Sequence, residues 1–303
     1  MRVITSLDAI RLLAQDLRLR RRVVSLVPTM GALHEGHLTL VRRAKADGGA
    51  VIVSIFVNPA QFGPAEDYTR YPRDLDRDCE ALAAFEPEAV FSPEPSAMYP
   101  AGFGTYVEPG RVAQGFEGCL RPGHFRGVAT VVLKLLNLVT PDVAYFGQKD
   151  FQQTAVLRWM MADFNISIRL VICPTVREPD GLALSSRNAY LDPDDRRAAP
   201  LLYRSLCRAR ELFQDGETRA GVLAAAMLAV LGAEPRAKVD YAAVVRPDTL
   251  EPPGQVTPGC VALVAARVGP ARLIDNVILG PPTASDEELI ELATGEHQTT
   301  PSS

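Results

Sequence analysis

Apolar runs alternate with helical segments through the first 175 residues of this 303-residue chain, and no other feature constrains its fold as much. The runs predict five strands: Val23–Val27, Val51–Val57, Ala89–Phe91, Val143–Phe146 and Ile166–Ile172. The segments with helical spacing are His37–Ala46, Cys79–Phe85, Arg126–Val139 and Phe151–Phe164. Strands that are apolar on both faces and separated by helices are typical of a covered parallel sheet. Ligands of such sheets bind at the carboxyl ends of the strands, near the switch in strand order.

A different pattern follows residue 176. Asp192 and Pro193 are typical of an N-cap and a first helical position. Two helices are predicted next, then three strands: Leu201–Phe213, Thr218–Leu231, Val239–Val245, Cys260–Ala266 and Arg272–Val277. We therefore predict a larger domain over residues 1–175, a smaller α+β domain over 176–282 and a flexible tail over 283–303. Within that tail, Ser285 and the three acidic residues after it are able to cap a short helix.

Composition excludes several classes of protein. Hydrophobic residues make up 47% and charged residues 22%, as in soluble globular proteins, and the net charge of −4 argues against a nucleic-acid partner. No apolar run approaches the roughly 20 residues that span a bilayer, so we expect no membrane partner. Residues 1–22 are amphipathic and end in arginines, the reverse of a signal peptide, and we predict a first helix there. Five widely spaced cysteines without a C-x-x-C pair indicate a reduced, cytoplasmic location.

The turn between the first predicted strand and the next helix reads VPTMGALHEGH. Gly31 and Gly36 permit close backbone approach, and the amino terminus of the helix favours a phosphate. His34 and His37 add donors that stabilise charge on phosphate oxygens. The pattern is neither a Walker A loop nor the H-E-x-x-H of zinc enzymes. Taken alone, either histidine is as often a surface or N-cap residue as a residue that binds phosphate.

This H-x-G-H turn resembles the nucleotidyltransferase superfamily with a HIGH-type motif. Its members join an acid or a phosphate to a nucleoside monophosphate and release pyrophosphate. A second motif of that superfamily, of the K-M-S-K-S type, closes over the phosphates. Here Ser185, Ser186 and Arg187 lie at the predicted domain junction, and hydroxyls with a guanidinium suit triphosphate oxygens.

Seven motifs in order resemble those of the pantothenate synthetase (pantoate–β-alanine ligase) family. They are PTMG from Pro28, HEGH from His34, SIFVNPAQF from Ser54, YPR from Tyr71, RPGHFRGV from Arg121, FGQKDFQQ from Phe146 and DGLALSSRN from Asp180. A C-terminal echo, VAAR from Val264 and RLIDN from Arg272, extends the resemblance to about residue 280. The expected fold class is α/β, with a Rossmann-like parallel-sheet nucleotide-binding domain and a smaller α+β C-terminal lid domain.

The resemblance implies a two-step reaction. The carboxylate of pantoate attacks the α-phosphate of ATP, which gives pantoyl adenylate and pyrophosphate. The amine of β-alanine then attacks the adenylate, which gives pantothenate and AMP. Magnesium (Mg²⁺) accompanies the ATP, and the family implies a homodimer.

The resemblance also assigns site residues. His37 is the expected catalytic donor, with His34 and Lys149; only four of the 32 basic residues are lysines. The ATP-binding residues are expected to be Met30, Gly31, His34, His37, Gly147, Lys149, Asp150, Val176, Leu184, Ser185, Ser186 and Arg187. Pantoate and β-alanine are expected to bind to Gln61, Gln153, Asn58 and Tyr71. The protein ligands of the metal are unknown: Asp76 and Asp78 are candidates, but charges on a solvated helix face explain them equally well. We expect His124 to order a loop near the site.

Three other functions stay open at this point. Another adenylyl- or cytidylyltransferase of the superfamily would act on a different acid or phosphate, and it would not need the paired glutamines. A non-catalytic nucleotide-binding module or inactive relative would be expected to have lost His37, Lys149 or Arg187, and all three are present. A tRNA synthetase fragment would have an anticodon-binding region, and we find none.

Overall fold

Two compact units make up the protein. A computed structural model describes residues 1–64, 66–281 and 283–294. The first unit comprises Met1–Gly147 and Gln152–Cys173, and the second comprises Gln148–Phe151 and the chain from Pro174. A short segment in the middle of the chain, Gln148–Phe151, thus belongs to the second unit.

The first unit is a six-stranded parallel sheet flanked by helices. The strands are β1 (Arg2–Ile4), β2 (Val24–Thr29), β3 (Ala50–Ile55), β4 (Ala89–Phe91), β5 (Val143–Gly147) and β6 (Arg169–Cys173), in the spatial order β1-β4-β3-β2-β5-β6. The helices are α1 (Leu7–Leu19), α2 (Glu35–Ala46), α3 (Leu75–Ala83), α4 (Pro95–Met98), α5 (Glu117–Leu120), α6 (His124–Val139) and α7 (Phe151–Asp163). The α/β prediction is confirmed.

The central strands are buried along their length. All six residues of β3 are buried, and in β2 Val24, Leu26 and Val27 are fully buried. Side chains of successive strand residues point to opposite faces, so strands of this kind need cover on both sides. This requirement explains why continuous apolar runs, rather than alternating ones, predicted the sheet correctly.

The N-terminal prediction was wrong in part. Residues 1–22 do not form one helix, because Arg2–Ile4 pairs with β4 as an edge strand. Helix α1 starts only at Leu7, and the Ser6 hydroxyl caps it by accepting a hydrogen bond from the Ala9 amide at 3.3 Å. A strand of three residues is too short to show a period, so only pairing with β4 reveals it.

The order of the strands sets the position of the site. The chain leaves β2 towards β3 and β4 on one side, whereas β5 and β6 lie on the other side of β2. The order therefore reverses between β2 and β5. Crevices for ligands open at such a switch point, outside the carboxyl ends of the strands.

The second unit has the predicted α+β character. It contains α8 (Pro193–Ala198), α9 (Leu201–Gln214), α10 (Ala220–Leu231), β7 (Ala237–Val245), β8 (Val261–Val268), β9 (Ala271–Ile278) and α11 (Asp286–Thr294). The three strands form an antiparallel sheet in the order β7-β8-β9. Asp192 caps α8 by accepting from the amides of Asp194 and Asp195, both at 2.8 Å. Among the described residues, no helix combines the length and apolarity that crossing a membrane requires.

Within the predicted tail, residues 283–303, the short helix that Ser285 was expected to cap is present at Asp286–Thr294. The Glu288 amide donates to the Ser285 hydroxyl at 3.2 Å, and the Ser285 amide donates to the Glu288 carboxylate at 2.7 Å. This reciprocal pair is a capping box. Leu289 and Ile290 are buried, so packing holds the helix in place. Residues 295–303 lie outside the described part of the chain.

The core of the second unit can be tested with two helical leucines. Leu206 in α9 is fully buried, whereas Leu228 in α10 is 45% exposed. We expect Leu206→Ala to lower the free energy of unfolding by about 2–5 kcal/mol through lost burial and cavity formation. Leu228→Ala should change it by less than about 0.5 kcal/mol. Urea unfolding followed by circular dichroism measures both, and equal effects would contradict the assigned core.

Candidate active site

A carboxylate from α3 holds the turn that follows β2. The Leu33 amide donates to Asp78 Oδ1 at 2.7 Å, and the Ala32 amide donates to Asp78 Oδ2 at 3.0 Å. Gly31 has φ +80°, and a Cβ on it would lie 2.8 Å from Asp78 Oδ2. Only glycine therefore permits this approach. Burial raises the pKa of Asp78, while its two backbone donors act in the opposite direction.

The two histidines of the turn cap helix α2. The Gly36 amide donates to His34 Nδ1 at 3.2 Å, and the His34 amide donates to His37 Nδ1 at 3.4 Å. Their rings lie 4.1 Å apart between centroids. Because each Nδ1 accepts, each neutral ring carries its proton on Nε2. The N-cap interpretation is thus correct, and the two imidazoles, tilted by 38° to each other, carry Nε2–H groups that are donors.

A cavity of about 290 Å³ opens in the first unit at the carboxyl ends of β2, β3 and β4. Its walls include Met30 and Gly31 after β2, Phe56 and Val57 after β3, and Ser92 after β4. The reversal of strand order lies between β2 and β5, so the cavity adjoins that switch point at β2. Of the predicted site residues, Met30 and Gly31 line it, together with the metal-ligand candidate Asp78.

The amide of Asn58 has a single possible orientation. Its Oδ1 accepts from the Ala60 amide at 3.2 Å, and its Nδ2 donates to the Gly127 carbonyl at 3.1 Å. A backbone N–H can only donate and a backbone carbonyl can only accept, so these two partners identify the oxygen and the nitrogen. The Tyr99 hydroxyl, 2.7 Å from Oδ1, must therefore donate. Burial raises the pKa of Tyr99, which keeps that hydroxyl protonated.

Asn58 in turn orients Gln61. Asn58 Nδ2 lies 3.0 Å from the Gln61 side chain and donates to it, so the atom it meets must be Oε1. Gln61 Nε2 then points to the Met30 sulfur at 2.9 Å. The sulfur is a weak acceptor, so the Gln61 amide offers N–H donors, not an acceptor, beside Met30.

Helix α6 lies directly against the turn that carries Gln61. A Cβ on Gly127 would lie 2.1 Å from the Ala60 carbonyl oxygen, so any larger residue would push this turn away. At the start of α6, His124 Nδ1 contacts the Gln61 carbonyl at 2.9 Å, and Arg121 Nη1 lies 3.1 Å from His124 Nε2. A guanidinium can only donate, so Nε2 accepts and Nδ1 carries the proton. His124 is neutral and orders the Gln61 turn.

The segment after Gln61 is tied to the same histidine through an ion pair. Arg121 makes two bonds to Glu66, from Nε at 2.7 Å and from Nη2 at 2.8 Å. Despite burial, the Arg121 guanidinium holds the pKa of Glu66 below its usual value. Further along this segment, Tyr71 is buried and its ring meets the Phe62 ring edge-on at 6.0 Å. Its role in binding pantoate or β-alanine stays a prediction.

The two glutamines of FGQKDFQQ differ in their surroundings. Gln152 is buried, and its amide bonds the carbonyls of Val112 and Gly115 and the amide of Glu117, each at 2.9 Å. Its side-chain amide therefore holds main-chain groups of neighbouring segments in place. Gln153 is half-buried in the first turn of α7.

In the second unit, a hairpin brings together two residues expected at the nucleotide. The Leu184 amide donates to the Val176 carbonyl at 3.0 Å, and Arg177 and Ala183 form an isolated bridge beside them. Ser185 caps the following 3₁₀ turn, Ser186–Tyr190, by accepting from the Arg187 amide at 3.3 Å. Val176, Leu184 and the S-S-R segment are thus neighbours in one short structure.

Lys149 also belongs to the second unit. It lies in a 3₁₀ turn, Gln148–Asp150, directly after Gly147 at the end of β5. Its Nζ lies 3.9 Å from Asp150 Oδ2, and its side chain is 21% exposed. Asn276 binds the main chain of this turn.

Neither candidate for a metal ligand stands out. Both oxygens of Asp78 are occupied by backbone amides of the turn after β2. In the described part of the chain, no three His, Cys, Asp or Glu side chains are grouped so that they could hold a metal ion.

Sequence reasoning missed the residues that orient the others. Tyr99 and Glu66 lie outside the seven motifs, and Asp78 was considered only as a metal ligand. Asn276 lies in RLIDN, to which we attached no role. A tyrosine, a carboxylate or an amide side chain looks ordinary in a sequence, because its role depends on which groups the fold brings to it.

Comparisons with known proteins agree with the motif order. A sequence profile described as pantoate-beta-alanine ligase matches residues 2–278. The pantothenate synthetase of Roseiflexus castenholzii (strain DSM 13941 / HLO8) is 57% identical over 256 residues, which is 84% of this chain and 92% of that protein. The pantothenate synthetase of Thermotoga neapolitana is 50% identical over 280 residues, 92% of this chain and 100% of the relative.

Two solved structures have the same fold. The crystal structure of pantothenate synthetase from Thermus thermophilus superposes with a TM-score of 0.88 at 47% identity, covering 93% of this chain and 100% of the other. That of pantoate-beta-alanine ligase from Francisella tularensis, complexed with beta-gamma ATP and beta-alanine, gives a TM-score of 0.75 at 35% identity, covering 92% and 97%.

The neutral His124 predicts a pH-dependent stability. Burial, with a smaller contribution from the Arg121 charge, lowers its pKa to about 4 from 6.5. Between pH 6.5 and 4 the unfolded chain binds a proton that the folded protein does not. The free energy of unfolding therefore decreases as the pH is lowered through this range, by up to about 3 kcal/mol. His124→Asn retains a donor for the Gln61 carbonyl but does not titrate. Urea unfolding at pH 7, 6, 5 and 4.5 should show a shallower fall for the variant; parallel curves would refute the assignment.

Proposed function

The chain belongs to the pantoate–β-alanine ligase family, and we propose that it condenses pantoate with β-alanine at the expense of ATP, through a pantoyl-adenylate intermediate. The observation that carries the proposal is the turn after β2, where Asp78 and the helix cap hold two imidazoles beside the point at which the strand order reverses. The order of the seven motifs supports the same substrates.

The first step joins pantoate to the nucleotide. A pantoate carboxylate oxygen attacks the α-phosphorus, a C–O–P bond forms, and the bond from that phosphorus to the bridging oxygen of the β-phosphate breaks. Pyrophosphate leaves with the electron pair. The protein needs no nucleophile for this step; it needs to align the reactants and to stabilise charge on the phosphate oxygens. We assign that stabilisation to the Nε2–H groups of His37 and His34 and to the Lys149 ammonium.

The second step releases the product. The amine of β-alanine, having lost the proton of its ammonium form, attacks the acyl carbon of the adenylate. The C–N bond forms, the bond from that carbon to the phosphate oxygen breaks, and AMP leaves. Both steps share one acyl group, so one set of residues that holds pantoate can serve both.

The orientation of the Gln61 amide supports a role in binding pantoate. Its oxygen accepts from Asn58, and its nitrogen carries N–H donors on the side of Met30. Such donors match a carboxylate or hydroxyl oxygen. We therefore assign Gln61 to pantoate, with Gln153 as a second pantoate residue. Asn58 acts by orienting Gln61.

We assign the nucleotide-binding residues from the family resemblance. Met30 and Gly31 would contact ATP from the turn after β2, with Gly147 from the end of β5. Asp150 is proposed to bind the ribose, and Val176 and Leu184 to line the base. Ser185, Ser186 and Arg187 are proposed to hold the β- and γ-phosphates, because hydroxyls and a guanidinium donate to phosphate oxygens.

Three further properties are part of the proposal. Magnesium enters with ATP as the counter-ion of the substrate, and its shell would come mostly from phosphate oxygens and water. A homodimer is proposed from the family resemblance. A cytoplasmic location agrees with the five cysteines, which form no disulfide in the described chain.

The proposed reaction can be tested with purified protein, ATP and magnesium in four mixtures: no acid, pantoate alone, β-alanine alone, and both. We expect pyrophosphate release with pantoate, and sustained AMP formation only when β-alanine is also present. Pantothenate should appear in proportion to AMP. Activity that does not depend on pantoate, or turnover with another acid instead, would indicate a different transferase of the superfamily.

The hydrogen bonds that connect Tyr99 to Gln61 through Asn58 predict a selective effect on the KM for pantoate. Tyr99→Phe keeps the ring but removes the hydroxyl that donates to Asn58, so Gln61 is held less firmly. We expect the KM for pantoate to rise about fivefold, the equivalent of about 1 kcal/mol, while the KM for ATP stays within twofold. Steady-state kinetics with each substrate varied in turn measure both constants.

Tyr145→Phe is the matched control. This tyrosine is fully buried in β5, and its hydroxyl donates to Asp47 at 2.9 Å, away from the Gln61 turn. It should leave the KM for pantoate unchanged. If both variants raised that constant equally, loss of a buried hydroxyl rather than orientation of Gln61 would be the cause.

A further inference from the structure

Asn276 is a buried polar residue without a part in the proposed chemistry. It lies on β9 in the RLIDN motif and is 1% exposed. Burying an amide is unfavourable unless each of its polar atoms finds a partner. The partners of Asn276 therefore indicate what its presence achieves.

Three hydrogen bonds of the Asn276 side chain lead to the turn that carries Lys149. Nδ2 donates to the carbonyls of Gln148 at 3.0 Å and Lys149 at 2.9 Å. Since both carbonyls can only accept, the atom facing them is the nitrogen. Oδ1 then accepts from the Gln148 side chain at 3.1 Å. One amide thus fixes two consecutive peptide groups and one side chain.

Asp275, the neighbouring residue of β9, holds the hairpin that contains Val176 and Leu184. Asp275, whose side chain is 3% exposed, accepts from Arg177 Nη1 at 2.5 Å and Nη2 at 2.9 Å. Arg177 follows Val176 in the chain. The Val176 carbonyl accepts from the amide of Leu184, which directly precedes the S-S-R segment, residues 185–187. Adjacent positions of one strand therefore hold the Lys149 turn and the start of the S-S-R segment.

We propose that Asn276 is a positioning residue for Lys149, which it holds in place for the phosphates of ATP. The inference rests on the proposed function, in which Lys149 binds ATP. The turn between β5 and α7 belongs to the second unit, and the Asn276 bonds supply a physical cause for that membership. Lys149 and the S-S-R segment accordingly form one phosphate-binding body built on β9.

The two carbonyls make Asn276→Asp the sharpest variant. A carboxylate has nearly the same shape but no donor, and its oxygens would repel both carbonyls. Asn276→Ala is the second variant, because it removes the amide without adding charge. A cavity of about 170 Å³ beside Gln148 and Asn276 lets water reach the freed carbonyls, which favours folding of the alanine variant.

The first measurement is ATP affinity by isothermal titration calorimetry in the presence of magnesium, which does not require turnover. We expect both variants to bind ATP about tenfold more weakly or worse, since an oriented bond to a charged phosphate is lost. Steady-state kinetics should show a similar fall in kcat/KM for ATP, while the KM for β-alanine stays within twofold.

A double-mutant cycle tests whether Asn276 acts through Lys149. Lys149→Gln removes the ammonium, so adding Asn276→Ala to it should weaken ATP binding by less than twofold further. A full tenfold loss in the Lys149→Gln background would overturn the proposal, since Asn276 would then act by another route. Unchanged ATP affinity in both single variants would overturn it as well.

Leu223→Ala is the control for destabilisation alone. Leu223 is fully buried in α10 of the same unit. It should lower the thermal midpoint and leave ATP affinity unchanged; an equal loss of affinity in this variant would reduce Asn276 to a structural role. Failure of the wild type to make pantothenate would refute the proposed function, whereas the calorimetric comparison judges Asn276 separately.

Discussion

Main-chain groups at the ends of the strands need partners that the sheet cannot supply, and the site of this protein is organised by that need. A buried peptide group without a partner is costly, so loops that leave a sheet are held by side chains. Asp78 binds the turn after β2, Asn58 and His124 bind the turn after β3, and Asn276 binds the turn after β5. Each is a buried or half-buried polar residue whose partners include backbone atoms.

The same constraint links the structural role of the histidine pair to its proposed chemical role. Capping α2 uses the Nδ1 atoms of His34 and His37, and this choice leaves each neutral ring with its proton on Nε2. An N-cap made by serine would satisfy the helix but would present no imidazole. Capping of α2 and the presentation of Nε2–H donors are therefore two consequences of one geometry.

Orientation of amides is a second consequence. Asparagine and glutamine carry a donor and an acceptor on one planar group, so fixing one atom determines what the other offers. The backbone around Asn58 fixes its amide, and Asn58 then decides that Gln61 presents donors.

The sequence by itself determined the α/β class and the α+β character of the second region, and it predicted the residue types of the proposed site. Continuous apolar runs and short motifs depend on neighbouring residues, so they can be read without a fold. The edge strand Arg2–Ile4, the partners of Tyr99 and Asn276, and the membership of Lys149 in the second unit were decided only by tertiary structure. Each of these depends on contacts between residues distant in the chain, as in the bonds between Asn276 and residues 148 and 149, for which no local pattern exists.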